Sequence, residues 1–348
     1  MRVLISGATG MVGTHLVAEL SRRGHEIWAL ARDVEQAYTR IPQARRILQW
    51  EASKSLDPKA LSGVNAVVHL AGAPLVPNVF TKKGRQKIYG SRVLGLRKIV
   101  DTIVSKPNHS VDVVVSASAV GYYGDCGDDL ISEEAKAGQD FLANVCVNWE
   151  RELLQRKDLS SRTVSLRCGL ILNKGQGLLK FLEPIFKTGL GSILGSGEQW
   201  ISWIHIEDAI RAYVFALENP VVTGPVNACS QKPVHNMDFS VLLGDALHRP
   251  VLIKTPPWLL RSLPGPTEEL FLFSQRAMPG VLLANRFKFH YPSLYEAFTD
   301  LYGKDTTPKK KTHALPDLVS ANEDREEHYD LDGTSHSHGQ IYIASGIY

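Results

Sequence analysis

The chain opens with a short apolar stretch that leads directly into a glycine-rich loop. Arg2–Ser6 has the nearly continuous hydrophobicity of a buried β-strand, and Gly7, Gly10 and Gly13 follow it closely. A helical pattern over residues 11–23 begins inside the loop. A strand, a tight glycine turn and a helix in this order predict the first βα unit of a doubly wound sheet.

The three glycines have separate functions in such a unit. Gly7 makes the turn off the strand, Gly10 lets the backbone approach a pyrophosphate because it has no Cβ, and Gly13 lets the helix pack close to the strand. The N–H groups at the helix N-terminus favour phosphate. We therefore expect a dinucleotide site rather than an ordinary glycine-rich turn, formed by Gly7, Thr9, Gly10, Met11, Val12 and Gly13.

The residues that follow the second predicted strand indicate which dinucleotide binds. Glu26–Ala31 has a strand pattern, and Arg32 and Asp33 come directly after it. NAD-binding proteins place an acidic residue here for the ribose 2′-hydroxyl, whereas a guanidinium suits a 2′-phosphate by charge and geometry. Arg32 therefore predicts NADP(H) as the cofactor. Asp33 leaves NAD as the alternative, and a plain surface cation is the other interpretation of Arg32.

The pattern that follows the loop predicts the fold class. Short, β-rich stretches alternate with longer amphipathic ones through about residue 170. The predicted strands are residues 2–6, 26–31, 47–49, 66–70, 111–116 and 163–166, and helical patterns cover residues 11–23, 82–105 and 140–155. This alternation predicts an α/β fold with a Rossmann-type doubly wound parallel sheet.

The alternation ends near Gly169, and shorter strands, Gly-Pro turns and helices follow it. We expect residues 1–220 to form the cofactor-binding domain, with segments of a smaller α+β substrate lobe from about residue 170. Residues 250–302 are expected to form a small C-terminal domain of that lobe.

The last part of the sequence, residues 303–348, has a different character. It contains a basic run at residues 309–311, an acidic run at residues 322–327 and few core residues. This composition predicts a disordered, solvated tail. A localisation or interaction tag is the alternative interpretation of its lysines.

The charge and cysteine content exclude several classes of protein. The 39 basic and 36 acidic residues give a net charge of +3, which predicts no preference for nucleic acid or membrane surfaces. No apolar run approaches the roughly 18 residues of a transmembrane helix, and the strand pattern at Arg2 leaves no room for a signal peptide. Four cysteines without C-x-x-C or metal-ligand spacing predict reduced thiols and no metal site. We expect a soluble, cytoplasmic protein.

Several stretches of the sequence resemble a known family. They are the loop at residues 7–13, His69-Leu70-Ala71-Gly72, Ser116-Ala117-Ser118-Ala119-Val120-Gly121-Tyr122-Tyr123-Gly124, and the later Gly195-Ser196-Gly197-Glu198-Gln199-Trp200-Ile201-Ser202-Trp203-Ile204-His205-Ile206-Glu207-Asp208. The chain resembles an atypical extended short-chain dehydrogenase/reductase of the NAD-dependent epimerase/dehydratase group, in the subgroup of epimerase family proteins with a C-terminal domain of unknown function. The resemblance covers residues 1–302. It implies that the cofactor is also contacted by Leu70, Ala71, Gly72, Arg92 and Cys168.

The resemblance also shows where this chain departs from its family. Family members use a serine on the fifth strand with a Tyr-x-x-x-Lys on the next helix, whose tyrosine transfers a proton while hydride moves to or from the nicotinamide. Ser118 occupies the serine position, but Phe141 and Val145 stand where the tyrosine and lysine belong. The usual proton relay is therefore absent, and Ser118 is either catalytic or a serine that caps its own turn.

Other residues offer a replacement for the missing donor. Tyr122 and Tyr123 follow Ser118 on the loop expected beside the nicotinamide, and a nearby cation such as Arg92 would depress the pKa of a phenol. Arg92 is otherwise a helix-surface arginine. Asp140 and Glu150 are further acid–base candidates, although carboxylates on helix faces are usually solvated. Cys168 is expected to be a small buried thiol rather than a nucleophile, because the sequence places no histidine to activate it.

Three aromatic residues of the second lobe are candidates for the substrate pocket. Trp200, Trp203 and His205 lie beside a glycine-rich segment, and strand alternation would put Ile201, Trp203 and His205 on one face. A histidine ordinarily titrates near neutral pH, so His205 is a candidate proton donor. The alternative is that Trp203 belongs to the core and His205 bonds a backbone carbonyl.

Two functions fit these residues. The first is an NADP(H)-dependent oxidoreductase or epimerase that acts on a small carbonyl or sugar-like substrate with a non-standard proton donor. The alternative is a non-catalytic NADP(H)-binding protein that acts as a sensor or regulator through a protein partner. Related enzymes often dimerise through a four-helix contact, and residues 82–105 and 140–155 would allow a homodimer of this kind.

Overall fold

Seven parallel strands form the centre of the computed structural model, which describes residues 1–106 and 109–303. The strands in these residues are β1 (Arg2–Ser6), β2 (Glu26–Ala31), β3 (Arg46–Gln49), β4 (Ala66–His69), β5 (Val113–Ala119), β6 (Leu130–Ile131), β7 (Arg162–Cys168), β8 (Leu170–Leu172), β9 (Ser192–Leu194), β10 (Trp200–Ile201), β11 (Trp203–His205), β12 (Gly224–Ala228), β13 (Val234–His235), β14 (Ile253–Thr255) and β15 (Arg276–Ala277). The main sheet has the order β12-β7-β5-β4-β1-β2-β3. The strand order reverses between β1 and β4, which is where doubly wound sheets bind their ligands.

Helices follow most of these strands. They are α1 (Met11–Arg22), α2 (Val34–Arg40), α3 (Lys82–Tyr89), α4 (Gly95–Val104), α5 (Phe141–Leu154), α6 (Leu179–Lys187), α7 (Ile206–Glu218), α8 (Asn236–Ala246), α9 (Pro257–Arg261), α10 (Thr267–Phe271), α11 (Gly280–Ala284) and α12 (Leu294–Tyr302). Short 3₁₀ turns cover Pro58–Leu61, Asn78–Phe80 and Val120–Tyr123. The predicted doubly wound α/β fold is therefore confirmed.

Two differences from the predicted bounds bear on the site. The strand expected at residues 111–116 is β5, which extends to Ala119 and thus includes Ser118. The single helix expected over residues 82–105 is interrupted by the π-helical turn Gly90–Leu94, which joins α3 to α4. Periodicity does not reveal this turn, because the extra residue shifts the apolar pattern only locally.

Apolar side chains alternate between two clusters on the two faces of the sheet. Val3 and Ile5 of β1 pack on one face with residues of α1 and α7. Leu4 packs on the other face with residues of α4 and α5, including Trp149. Because both faces are covered, the strands are apolar along their length and polar residues collect at their ends.

The smaller lobe is interleaved with the main sheet. β12 lies beyond residue 220, where the first domain was expected to end, yet it pairs with β7 at the edge of the sheet. In the other direction, β15 pairs with β6, which lies just after the 3₁₀ turn at Tyr123. The described residues belong to one compact unit. The division into residues 1–220 and 250–302 stays a prediction.

Two expectations from the sequence concern the ends and the solubility of the chain. Of the predicted tail at 303–348, residues 304–348 lie outside the described residues. Among the residues that the structure describes, no helix combines the length and the apolar character needed to span a membrane.

Candidate functional site

The glycine-rich loop packs so closely that its glycines have no room for side chains. Gly7 has a φ of +71°, and a Cβ there would lie 2.6 Å from the carbonyl carbon of Leu70. A Cβ on Gly13 would lie 2.3 Å from the carbonyl oxygen of Gly7. Gly10 precedes α1 and makes no side-chain cap, so the first N–H groups of the helix are left for a ligand. This cradle fits a pyrophosphate, and Thr9, Met11 and Val12 belong to it.

Two arginines lie beside the loop, and the sequence pointed to one of them. Arg32 is exposed directly after β2, whose Leu30 pairs in register with Ser6 of β1. Arg40, at the end of α2, donates from Nη1 to the carbonyl oxygen of Thr9 at 3.3 Å. No local motif marks Arg40, because only the packing of α2 brings it to the loop.

Asp33 bears on the choice between NAD and NADP(H). Its carboxylate accepts a hydrogen bond from the backbone N–H of Gln36 at 2.9 Å and caps α2. A cap is the usual function of an aspartate at this position of a helix. Asp33 is thus engaged with its own helix, while its neighbour Arg32 is exposed and Arg40 bonds the loop.

The end of β4 brings the next predicted residues against the loop. Leu70 touches Gly7, and a Cβ on Gly72 would lie 3.1 Å from Cζ of Arg92. Arg92 donates from Nη1 to the carbonyl oxygen of Ala73 at 2.9 Å and lies over the ring of Trp149 at 5.5 Å. Leu70, Ala71, Gly72 and Arg92 therefore lie together at the carboxyl edge of the sheet.

His69 ends β4 inside this region but does not supply a proton. Its ring is fully buried, and Nδ1 lies 2.7 Å from Oγ of Ser6. Burial, with a smaller contribution from the charge of Arg92, lowers the pKa of His69 to about 3. The imidazole is therefore neutral at physiological pH.

Ser118 is part of a buried polar network at the end of β5. Its Oγ donates to Oε1 of Glu150 at 2.6 Å. Arg167 of β7 donates from Nε to Oε1 of Glu150 at 2.8 Å and from Nη2 to Oε2 at 2.7 Å. Ser118, Glu150 and Arg167 are 5%, 5% and 3% exposed. Burial alone would lower the pKa of Arg167, but the hydrogen bonds and charge of Glu150 raise it overall.

The network corrects the expectation that Glu150 is solvated. Glu150 lies on the buried face of α5 with Cys146, Trp149 and Leu153, so its position among apolar residues was a signal in the sequence. Its partner Arg167 was not among the candidate residues. A buried carboxylate needs such a partner, because an unpaired charge is strongly disfavoured away from water.

The two tyrosines that follow Ser118 have different surroundings. Tyr123 is buried; its hydroxyl donates to Oδ1 of Asn227 at 2.7 Å and accepts from Nη1 of Arg167 at 2.9 Å. Burial raises the pKa of Tyr123 to about 12, although Arg167 opposes this. Tyr122 is partly exposed, and Cζ of Arg167 lies 3.5 Å from the centre of its ring. Tyr122 is therefore the tyrosine that is open to a ligand, and Tyr123 fixes Arg167.

The positions of the missing tyrosine and lysine are filled by apolar packing. Phe141 and Val145 lie in a cluster with Val79, Ile88 and Leu270. Leu270 belongs to α10, and the neighbouring Glu269 accepts from the backbone N–H of Leu142 at 2.8 Å. The C-terminal part of the chain thus closes over the start of α5.

Cys168 lies at the end of β7 on the face opposite to Arg167. It packs in the cluster that contains α1 and α7, and its Sγ is 3.6 Å from the hydroxyl of Tyr213. Burial raises the pKa of Cys168 to about 11, with a small opposing effect of Tyr213. These surroundings fit the predicted buried thiol and not a nucleophile.

The three aromatic candidates for the substrate pocket lie in different surroundings. Trp203 is fully buried in the core of the smaller lobe, and its Nε1 donates to the carbonyl oxygen of Lys232. The ring of Trp200 lies 3.8 Å from the ring of His235, and Cζ of Arg276 lies 4.4 Å from the centre of the Trp200 ring. Trp203 therefore packs the lobe and offers no surface to a ligand, contrary to the expected pocket.

His205 caps a helix of the chain. Its Nδ1 accepts from the backbone N–H of Glu207 at 3.3 Å and caps α7, and its Nε2 is 3.3 Å from Oδ2 of Asp300. Burial lowers the pKa of His205, and Asp300 opposes this. The residue borders a groove of about 830 Å³ between α1 and α7, together with His15 and Arg211.

Family models match most of the described chain. The model of the "NAD dependent epimerase/dehydratase family" covers residues 3–229, and that of a "Domain of unknown function (DUF1731)" covers residues 255–301. An epimerase family protein of Mycobacterium bovis is 34% identical over 297 residues, which are 85% of this chain and 95% of that protein. The chloroplastic epimerase family protein SDR39U1 homolog of Arabidopsis thaliana is 34% identical over 299 residues, 85% of each chain.

Solved structures show the same relationship. The human epimerase family protein SDR39U1, crystallised with NADPH, has a TM-score of 0.77 at 27% identity and covers 87% of this chain and 99% of its own. A nucleoside-diphosphate sugar epimerase from Corynebacterium glutamicum has a TM-score of 0.71 at 31% identity and covers 88% of this chain, but only 59% of its own. With this fold, this glycine-rich cradle and these matches, the chain belongs to the NAD dependent epimerase/dehydratase family.

Proposed function

We propose that this protein is an NADP(H)-dependent oxidoreductase or epimerase that acts on a small carbonyl or sugar-like substrate. In this proposal Ser118 and Glu150 carry out the proton transfer that the tyrosine performs in other family members. The observation that carries it is the 2.6 Å hydrogen bond from Ser118 to Glu150 at the carboxyl edge of the sheet, on the strand next to β4.

The cofactor part of the proposal rests on the loop and its two arginines. The uncapped N-terminus of α1 would hold the pyrophosphate, and Arg32 and Arg40 would hold the 2′-phosphate through charge-assisted hydrogen bonds. The relative crystallised with NADPH supports the same choice of cofactor. When bound, NADP(H) would supply or take up the hydride.

The chemical part assigns a proton path to residues of this chain. Ser118 Oγ would hydrogen-bond the reacting oxygen of the substrate, while its own proton lies on the bond to Glu150. When a substrate hydroxyl is oxidised, its proton would pass to Ser118 Oγ as the serine proton passes to Glu150 Oε1; reduction of a carbonyl would reverse both transfers. Arg167 keeps the carboxylate in place through two hydrogen bonds.

The tyrosines would have unequal functions in this scheme. Tyr122 would line the substrate site with its partly exposed ring. Tyr123, with a pKa of about 12 and a hydroxyl engaged with Asn227 and Arg167, would act as a positioning residue. The sequence offers either phenol as the proton donor, whereas this scheme gives that function to Ser118.

A second function remains a candidate because of one observation. Phe141 and Val145 are packed in an apolar cluster. The positions of the family's tyrosine and lysine are therefore filled by apolar side chains and are not left open for another proton donor. A non-catalytic NADP(H)-binding sensor or regulator that acts through a protein partner would retain the loop and tolerate this change.

Turnover separates the two functions. Purified protein is first tested for NADPH binding by fluorescence and then for NADPH oxidation with a panel of small carbonyl compounds. If the protein is an enzyme, Ser118→Ala and Glu150→Gln should each reduce turnover by roughly a hundredfold or more. Glu152→Gln, two residues further on α5, should leave turnover unchanged. Tight NADPH binding without turnover of any carbonyl would favour the sensor.

Assembly and location are further parts of the proposal. We place the protein in the cytoplasm, without nucleic-acid or membrane partners, and pair α4 and α5 across a homodimer. Light scattering of the purified chain and cell fractionation test these two statements directly.

A further inference from the structure

Arg92 lies where the helix after β4 changes its hydrogen-bonding pattern. It belongs to the π-helical turn Gly90–Leu94, and such turns are frequent at functional sites. Its guanidinium reaches the end of β4, where Nη1 bonds the carbonyl oxygen of Ala73 and Cζ lies against Gly72. The side chain is only partly buried, so a ligand has access to it.

The guanidinium of Arg92 has no carboxylate partner within residues 1–106 and 109–303. Its Nη1 bonds the carbonyl oxygens of Ala73 at 2.9 Å and, weakly, Ile88 at 3.4 Å; in the same residues Nε and Nη2 have no acceptor. Burial lowers the pKa of Arg92, which means that its charge has lost part of its hydration. A partly desolvated cation without a counter-charge favours an anionic ligand.

Two other arginines of the sheet show how this chain satisfies a guanidinium internally. Arg167 is held by both carboxylate oxygens of Glu150. Arg162 donates to three main-chain carbonyls, those of Ala216, Leu217 and Val222. Arg92 has neither arrangement, so its unbonded Nε and Nη2 distinguish it from these two arginines.

Arg92 and Ser118 contact neighbouring residues of α5, namely Trp149 and Glu150. Cζ of Arg92 lies 5.5 Å from the ring centre of Trp149, and the next residue, Glu150, accepts the 2.6 Å hydrogen bond from Ser118. Trp149, which lies under Arg92, keeps an Nε1 without a partner in the described part of the chain. Arg92 lies just before α4. This helix covers one face of the sheet, and α1 covers the opposite face.

We propose that Arg92 binds an acidic group of the substrate, a carboxylate or a phosphate, and so holds the reacting carbon next to Ser118. The free Nε and Nη2 of a guanidinium match two oxygens of such a group. This inference rests on the proposed function, since it assigns a substrate class to the same site: hydroxy acids, keto acids, sugar acids or sugar phosphates. The resemblance to the family implies that Arg92 contacts the cofactor, whereas this proposal assigns it to the substrate.

The test measures anion binding to the full-length protein by calorimetry, with and without saturating NADPH. The probes are malonate and inorganic phosphate, with uncharged malonamide as the negative control. At least one anion should bind the wild type, and Arg92→Met should weaken it by roughly tenfold or more, since a bidentate charged contact is lost. Arg97→Met removes an exposed arginine of α4 with the same change in net charge and should leave anion binding unchanged.

Further measurements separate the outcomes. NADPH affinity should change by less than about twofold in Arg92→Met; a large loss of NADPH affinity with unchanged anion binding would overturn the proposal in favour of a cofactor contact. Wild-type protein that binds neither anion would also overturn it. If Arg92→Met does not fold, Arg92→Lys decides, because lysine keeps the charge but not the fork and should bind the anion several-fold more weakly. Failure of the proposed function would look different: the anion would still bind through Arg92, but no carbonyl acid would oxidise NADPH.

Discussion

Ser118 and Arg167 face each other across neighbouring strands, because their Cα atoms are paired in the register of β5 and β7. Both side chains point to the face that α5 covers, where Glu150 accepts a hydrogen bond from each of them. The alternation of side chains along a strand fixes this direction for both residues at once. The register of the sheet and the packing of one helix together make the network.

Glu150→Gln should destabilise the protein strongly. The change removes the charge that balances Arg167, and leaving one partner of a buried ion pair costs about 3–5 kcal/mol. The free energies of unfolding in urea of the wild type, Glu150→Gln, Arg167→Met and the double variant form a double-mutant cycle. This cycle gives the interaction energy between Glu150 and Arg167. We expect the double variant to be more stable than Glu150→Gln alone.

Glu152→Gln is the matched control for this prediction. Glu152 lies on the same helix and pairs with the half-exposed Arg97. Exposed pairs contribute about 0–1 kcal/mol, so this variant should unfold within about 1 kcal/mol of the wild type. Equal losses in the two variants would contradict a special role of the buried pair.

Gly10→Ala should reduce NADPH affinity by roughly tenfold or more while the fold is kept. The added Cβ would lie 3.2 Å from the carbonyl oxygen of Gly7, a tight contact, and it would occupy the space where a pyrophosphate approaches the backbone. Fluorescence titration with NADPH measures the affinity, and circular dichroism checks the fold. Gly90→Ala is the control, since only Leu94 lies within 4.0 Å of its Cβ.

Arg32→Asp and Arg40→Met should each lower the preference for NADPH over NADH. Each loses a charge-assisted contact to the 2′-phosphate, an interaction of about 1.5–3 kcal/mol, or roughly tenfold to a hundredfold in affinity. The ratio of the two dissociation constants is the readout. Arg45→Asp changes the net charge as Arg32→Asp does, but Arg45 is an exposed residue just before β3, and its replacement should keep the ratio. A preference that survives in both variants would remove these arginines from the cofactor site.

Glu269 predicts a pH dependence of stability. Burial and the neighbouring Asp140 raise the pKa of Glu269 above its ordinary value of 4.5, although the hydrogen bond from Leu142 opposes them. A raised pKa means that the folded state holds the proton more tightly than the unfolded state. The folded state therefore loses stability as the pH rises above 4.5 through the pKa of folded Glu269.

Glu269→Gln should remove this loss. The variant keeps an oxygen for the N–H of Leu142 but carries no charge toward Asp140, so its melting temperature should fall less between pH 5 and pH 8. Thermal unfolding across that range is the measurement. Glu268→Gln, which changes the exposed neighbour on α10, should retain the slope of the wild type; identical slopes in all three proteins would show that Glu269 does not titrate there.

The local parts of this structure were predictable from the sequence. The strand Arg2–Ser6, the loop glycines and the start of α1 are confirmed, because they depend on hydrophobic period and on backbone conformations that only glycine allows. The absence of the family's tyrosine and lysine at Phe141 and Val145 was equally visible. Such features are encoded within about ten residues of each other.

Tertiary structure decided the rest. Arg40 reaches Thr9, Arg167 pairs with Glu150, and Trp203 is enclosed by the smaller lobe, although these partners are far apart in the chain. Local patterns do not specify such pairs, since strand register and helix packing bring them together only when the whole sheet is formed. The sequence thus determined which cofactor cradle this protein has, whereas the fold decided which buried charges lie beside it.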